Sequence, residues 1–220
     1  MKYYPVCLDI NKRKCLVVGG GAVGTRKVKS LVECGAIVTV VALAASDELE
    51  RMAAAGIITL EKRAYDTADL TGVFLVFGAT SDMSLNDRIS RDAEDLKILC
   101  NIADFPQACN FILPSVLQRG DLQIAISTSG KSPAFARYLR KTLENRFGSE
   151  YDDFLRLMGL IRDKLLAEEH APEEHKPLFE RLVNSGLPDL IRDNRKTDID
   201  RILFEILGDG FSSDELGFDW

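Results

Sequence analysis

No stretch of this sequence is both long enough and free enough of charge to span a bilayer, and no Cys-x-x-Cys pair occurs among its five cysteines. The second absence, with the odd count and scattered placement of Cys7, Cys15, Cys34, Cys100 and Cys109, argues for reduced thiols and against a disulfide framework or a structural zinc. A basic excess is missing too. Lys and Arg number 28 against 34 Asp and Glu, a formal charge of -6, which disfavours a general nucleic-acid binder. Histidine is scarce: His170 and His175 sit in a polar helical linker and read as surface residues, so no metal-ligand set is expected. The start, Met1-Lys2-Tyr3-Tyr4-Pro5, lacks the apolar h-region of a signal peptide and any transit pattern, and the expected location is cytoplasmic. There is no internal repeat and no low-complexity run. What remains is an ordinary chain of 220 residues, 46% hydrophobic, enough for one full domain and a smaller second one.

That content is organised around Lys14-Cys15-Leu16-Val17-Val18-Gly19-Gly20-Gly21-Ala22-Val23-Gly24, an apolar run that breaks into glycines. Gly19, Gly21 and Gly24 have the G-x-G-x-x-G spacing. In that motif the first glycine makes a tight turn, the second lets backbone approach a pyrophosphate, and the third packs helix on strand. The bland alternative is a strand-to-helix turn that binds nothing. Context favours the dinucleotide reading: Val28, Leu31 and Val32 recur at helical spacing over Thr25–Glu33, and Gly35 follows as a C-terminal cap.

The alternation continues. Strands are expected over 36–41, 57–60, 73–77 and 98–102, with helices over 46–55, capped by Ser46, and 84–96 between them. This predicts an α/β, Rossmann-type domain with a parallel sheet. Ligands of such sheets bind beyond the carboxyl ends of the strands, so the Gly19 turn with Ala22 and Val23, Leu43-Ala44, Thr80 and the segment Asn101–Asp104 should share one rim. After Phe111 the grammar changes to a hairpin, 111–118 and 122–127 around Arg119-Gly120-Asp121. The polar loop Ser127-Thr128-Ser129-Gly130 leads to Ser132-Pro133, which opens a helix to about Asn145. From Tyr151 on, Phe154, Leu155, Met158, Ile161 and Leu165 form one apolar helical stripe. A charged break over Glu168–Lys176 precedes a further helix or two, and the acidic tail from Gly208 to Trp220 is expected to be loose.

Dinucleotide folds usually place an acid about 20 residues past the glycines to hold the ribose hydroxyls. Here the second strand ends Val40-Val41-Ala42-Leu43-Ala44, and Asp47 falls too far into the next helix, so backbone around Leu43 and Ala44 would hold the ribose. No arginine follows that strand to take a 2′-phosphate. NAD is therefore the expected cofactor.

Five motifs in this order, Val-Val-Gly-Gly-Gly-Ala-Val-Gly-x-Arg-Lys, Gly-Ala-Thr-Ser-Asp at 78–82, Cys-Asn-Ile-Ala-Asp at 100–104, Phe-Ile-Leu-Pro-Ser at 111–115 and Ser-Thr-Ser-Gly-Lys-Ser-Pro at 127–133, resemble the precorrin-2 dehydrogenase family, the N-terminal module of siroheme synthase. The resemblance is close over about the first 150 residues and looser beyond. It implies NAD-dependent oxidation of precorrin-2 to sirohydrochlorin and, in some members, insertion of ferrous iron to give siroheme. It also implies three parts: an NAD-binding domain over 1–113, a hairpin and helix dimerisation module over 114–147, and a helical domain over 148–220. A homodimer is implied with them. Larger members carry a following methyltransferase domain, so this chain would receive its precorrin-2 from elsewhere.

Asp104, at the carboxyl end of a predicted strand, is either an exposed loop acid or a catalytic one. The resemblance implies the second, as the group handling protons in both reactions. Asn101 and the loop residues Ser127, Thr128, Ser129 and Lys131 would contact the substrate, with Arg137 and Arg140 supplying positive charge to the carboxylates of the tetrapyrrole. These cations, with Lys141 and Arg146, also have the simpler reading of a solvated helix face. Thr128 stands where the family often has serine and keeps the hydroxyl. Two other readings stay open: an NAD-binding regulatory module without chemistry, and an NAD-dependent dehydrogenase of another small molecule. A colour change of a tetrapyrrole on incubation would separate all three.

Overall fold

The computed structural model describes residues 2–167 and 172–219, and the chain divides into two compact units, 1–113 and 114–220. The first unit forms a parallel sheet of five strands: β1 (Lys14–Gly20), β2 (Ile37–Ala45), β3 (Thr59–Glu61), β4 (Leu75–Gly78) and β5 (Leu99–Ile102), in the order β3-β2-β1-β4-β5. Helices α1 (Ala22–Glu33), α2 (Asp47–Ala54) and α3 (Met83–Asp95) follow β1, β2 and β4. The order reverses between β1 and β4, the switch point where open α/β sheets bind ligands.

Period-two alternation explains why these strands read as continuous apolar runs. Cys15 and Val17 of β1 pack with Val28 and Leu31 of α1 and Leu49 of α2, whereas Leu16 and Val18 pack with Ile89 and Ala93 of α3. Both faces of the sheet are covered, so both sets of side chains are apolar. Ser46 caps α2 by accepting the Leu49 N–H, as its sequence position suggests.

β2 is longer than expected, running to Ala45, because it bulges. Between the pairs Val18–Val41 and Gly20–Ala45, β1 advances two residues and β2 four. The surplus pushes Leu43 to the rim, where it is 80% exposed. Gly20 makes this closeness tolerable, since a Cβ there would lie 2.3 Å from the Ala44 carbonyl oxygen.

In the second unit, β6 (Ser115–Arg119) and β7 (Leu122–Ile126) form an antiparallel hairpin, turning at Gly120 with φ +52°. The first strand begins later than the expected 111, because Phe111 packs into the first unit's core, edge-on to Phe77 at 5.8 Å. Helices α4 (Pro133–Glu144), α5 (Glu150–Ala167), α6 (Pro172–Val183), α7 (Leu187–Arg192) and α8 (Lys196–Leu207) complete the unit. The buried seam of α5 is Phe154, Leu157, Ile161 and Leu165, with Leu155 and Met158 only partly covered. Leu157 was not in the expected stripe, which was centred slightly off the seam.

Two expectations are corrected here. The tail is not loose: Phe211, Leu216 and Phe218 are buried in the helical core, and buried Ser213 gives its N–H and hydroxyl to Asp200 at 2.7 Å each. The apolar residues anchor it although acids surround them, and Arg156 covers the Phe218 ring at 4.8 Å. His175 is not a surface residue either. It is buried within α6, whereas His170, with the rest of 168–171, lies outside the described residues.

Cys15 and Cys100 are buried strand residues, and burial pushes their thiols up to about 11 and about 12. Prompt thiol labelling of the native protein at neutral pH is therefore expected at exposed Cys7 and Cys34, with Cys15 and Cys100 reacting only on unfolding. The protonated thiols are favoured in the folded state, so their contribution is full below the ordinary thiol value of 9.0 and is lost as pH rises towards 11 and beyond. Mass-resolved labelling and an alkaline denaturation series check both statements.

Candidate functional site

An open cleft of about 1020 Å³ lies along the carboxyl ends of the strands of the first unit. Gly19, Gly21, Ala22, Val23, Leu43, Ala44, Thr80 and Asp104 all line it. Gly24 does not, and its role is packing: a Cβ there would lie 2.1 Å from the Gly19 carbonyl oxygen. Gly19 is needed for the turn itself, with φ +118° and only 2.3 Å between a Cβ and the Ala79 oxygen. Gly21 differs from both, because a Cβ there would meet nothing within 4 Å. Its missing side chain leaves room in the cleft instead of in the fold.

The helix termini at this end of the sheet are unequal. The N-terminus of α2 is capped by Ser46, and that of α3 by the Asp82 carboxylate, which accepts from the Ser84 and Leu85 N–H groups. α1 has Gly21 as its N-cap and no side-chain cap, so its first-turn N–H groups stay open towards the cleft. The uncapped terminus is the one with the positive end of the dipole available to a phosphate. These residues fit a dinucleotide pyrophosphate. α1 is anchored where it must be rigid: Thr25 bonds the Gly21 carbonyl at 3.0 Å, and its hydroxyl lies 2.8 Å from that of Ser46.

Thr80 is held beneath the cleft by buried Asn86, whose amide donates to the Thr80 carbonyl at 3.0 Å while the Thr80 hydroxyl lies 3.0 Å from Asn86 Oδ1. Asp104 follows β5 directly. The Ala103 N–H extends the ladder to the Gly78 carbonyl at 2.8 Å, and the next residue turns the chain with φ +59°. A left-handed conformation is uncommon outside glycine, and aspartate is among the residues that tolerate it. The turn is clamped by Cys109, whose Sγ accepts the Ile102 N–H at 3.1 Å and donates to the Phe105 carbonyl at 3.3 Å, and by Ser90, which donates to the Ala108 carbonyl at 2.9 Å. Burial raises the Cys109 thiol, consistent with a protonated structural group.

Lys27 is a neighbour that sequence reasoning missed. It lies half-buried over the Phe77 ring at 5.2 Å, and burial, with Arg26, pulls its pKa below the ordinary lysine value against the opposing pull of Asp104 and Cys109. Its spacing was a readable signal: it stands three residues after Gly24, on the same helical face. Asn101, by contrast, is not brought to the cleft wall. Alternation sets it beside Phe77, and its amide donates to the Phe111 carbonyl at 3.1 Å.

No arginine follows β2, but Arg63, beyond the end of β3, lines the cleft with Leu43 and Ala44. The neighbouring strand, not the same one, delivers it.

In the second unit, the loop at 127–132 spends its backbone donors on itself. Ser129 N–H bonds the Ser127 hydroxyl, Ser132 N–H the Thr128 hydroxyl, Lys131 N–H the Thr128 carbonyl, and Phe135 N–H the Ser132 hydroxyl that caps α4. An anion here would meet hydroxyl hydrogens and cations more than backbone N–H groups. Arg137 and Lys131 are exposed, whereas Arg140 is paired with Glu144 one turn along α4.

Comparison with known proteins agrees with this architecture. The family model described as putative NAD(P)-binding matches residues 6–115, and a sirohaem biosynthesis protein central model matches 119–146. A siroheme synthase from Methylococcus capsulatus is 32% identical over 205 residues, 93% of this chain and 43% of that protein. One from Escherichia coli is 35% identical over 195 residues, 88% of this chain and 43% of that protein. The chain thus spans less than half the length of these relatives. A solved structure, SirC, precorrin-2 dehydrogenase, superposes with a TM-score of 0.73 at 27% identity, covering 93% of this chain and 98% of that one. The resemblance carried by the five motifs is therefore met along nearly the whole chain.

Proposed function

We infer that this chain, which belongs to the putative NAD(P)-binding family through residues 6–115, oxidises precorrin-2 to sirohydrochlorin with NAD as acceptor. The observation that carries the reading is one cleft with the uncapped end of α1 at its middle and Asp104 at its β5 end. NAD, when bound, supplies the hydride acceptor. The N–H groups of α1's first turn at Ala22 and Val23 hold its pyrophosphate, backbone at Leu43 and Ala44 holds the ribose, and Thr80 borders the remaining path to Asp104. Each turnover takes a hydride and a proton from the macrocycle, giving sirohydrochlorin, NADH and H⁺, and the Asp104 carboxylate accepts the proton. Anaerobic incubation of precorrin-2 with NAD and this protein tests the reading: NADH and sirohydrochlorin should appear together, and binding of NAD without either product would favour a regulatory module instead.

The same proposal covers the second unit. Ser127, Thr128, Ser129, Lys131, Arg137 and Arg140 contact the carboxylates of the tetrapyrrole. The segment 114–147 serves as a dimerisation module beside a helical domain over 148–220, and the protein works as a cytoplasmic homodimer. Support for a dimer comes from the exposed stacked pair Phe135 and Tyr138 and from exposed Val116. Ferrous iron is a further substrate, inserted into sirohydrochlorin with Asp104 accepting the pyrrole protons.

Arg140 already faces Glu144, so the informative charge reversal is Lys131→Glu with Arg137→Glu. Two exposed charges, each worth up to about 1 kcal/mol, give roughly a tenfold weakening of sirohydrochlorin binding at low salt and a flatter salt dependence. NAD affinity should not move. Unchanged titration of sirohydrochlorin in the double variant would make the basic stretch a solvated helix face.

A further inference from the structure

The cleft has two ends. Asp104 marks the β5 end and α1's N-terminus the middle, so a dinucleotide whose pyrophosphate sits at α1 and whose nicotinamide lies towards Asp104 extends its adenosine past β2 towards β3. This rests on the reading of the cleft as an NAD site. Arg63 stands at that far end, beside the bulged Leu43, where a 2′-phosphate would come.

Its guanidinium is already engaged. Nε donates to Glu61 Oε2 at 2.8 Å, Nη1 to Asp69 Oδ2 at 2.9 Å and to the Ala64 carbonyl at 3.1 Å, and Nη2 to Asp69 Oδ1 at 2.6 Å while lying 2.6 Å from Glu61 Oε2. A guanidinium has five N–H donors in a fixed fork, and four of them are spent in these hydrogen bonds, with Glu61 Oε2 packed against the remaining edge of Nη2. The pair of carboxylates also outweighs it, leaving the cluster with an excess of one negative charge. The neighbouring Lys62 does not redress this, because its ammonium is paired with Glu50 at 2.6 Å. Asp69 is fixed independently by the Asp66 N–H at 2.9 Å, so its side chain belongs to the turn that carries it.

We propose that the Glu61–Arg63–Asp69 cluster selects the cofactor: it places an arginine at the adenosine end but spends four of its five donors within the cluster and adds net negative charge, so a free ribose 2′-hydroxyl is accepted and a 2′-phosphate is rejected. The absence of an acid at the end of β2 then needs no compensation by a positive selector, since discrimination is built as rejection. Selectivity is a property of the strand next to the one where an acid or arginine is usually sought.

Calorimetric titration of the full chain with NAD and with NADP, without tetrapyrrole, tests this. Wild type should favour NAD. Glu61→Gln leaves the Asp69 turn intact, removes one negative charge and loosens Arg63, and the NADP-to-NAD affinity ratio should rise about tenfold, the scale of one charge-assisted hydrogen bond. Adding Arg63→Met to Glu61→Gln should erase that gain, with thermal melting confirming that both variants are folded. A wild-type ratio in Glu61→Gln, or a gain that survives loss of Arg63, overturns the inference while leaving the NAD site standing. Failure of wild type to bind either dinucleotide overturns the site reading itself, and the selector with it.

Discussion

Asp104→Asn is expected to lower turnover of precorrin-2 by about a hundredfold to ten-thousandfold, the usual contribution of a positioned acid or base, while NAD and sirohydrochlorin still bind. The structure makes asparagine the right replacement for a reason beyond shape. Asp104 has φ +59°, and asparagine tolerates that left-handed region as aspartate does, whereas alanine would add backbone strain on the order of 1 kcal/mol and confuse lost chemistry with a displaced turn. The clamp around it does not use the carboxylate: Cys109 and Ser90 bond backbone groups of Ile102, Phe105 and Ala108. The turn should therefore survive, and the rate should report the proton acceptor alone. Iron or cobalt insertion into sirohydrochlorin, measured in the same variant, divides the outcomes. Loss of both activities supports one shared carboxylate, and loss of oxidation alone gives chelation a separate route. A wild-type rate of NADH formation removes Asp104 from the chemistry.

The sheet was legible because both of its faces are covered, which turns each strand into an apolar run, and because glycines and caps punctuate the runs. Ser46 and the Gly19 turn are read from sequence for that reason. What was not legible came from two sources. Long-range placement is one: Arg63 reaches the cleft from beyond β3 with no local signature, and the spacing of Lys27 after Gly24 gives its helical face but not its neighbour Asp104, which only helix-on-sheet packing supplies. Competition between a residue's possible partners is the other. Asn101 has the position of a rim residue, but its amide is used to hold Phe111, and the loop at 127–132, rich in polar groups, satisfies most of its own donors. The tail misled for a related reason, because net acidity says nothing about whether Phe211, Leu216 and Phe218 find a core.

The glycines of the turn give the remaining large effect, and they should separate cleanly. Gly19 and Gly24 are required by the fold, since any Cβ would run into backbone oxygen at 2.3 Å and 2.1 Å. Alanine at either should destabilise the first unit outright, and lost NAD binding there would carry no information about the site. Gly21 has ordinary extended φ and ψ of -78° and -173°, and open space where a side chain would go. Gly21→Val should therefore fold with stability changed by about 1 kcal/mol or less, because a conformation open to any residue partly offsets the poorer cap. Its isopropyl group nevertheless projects where a pyrophosphate must meet the first-turn N–H groups of α1. Two charge-assisted hydrogen bonds of about 1.5 kcal/mol or more each are at stake, so NAD affinity should fall roughly a hundredfold or further. Thermal melting and calorimetry on the Gly19→Ala, Gly21→Val and Gly24→Ala variants decide it. If Gly21→Val melts near wild type and still binds NAD with wild-type affinity, the pyrophosphate does not lie at the end of α1, and the assignment of the cleft's middle fails with it.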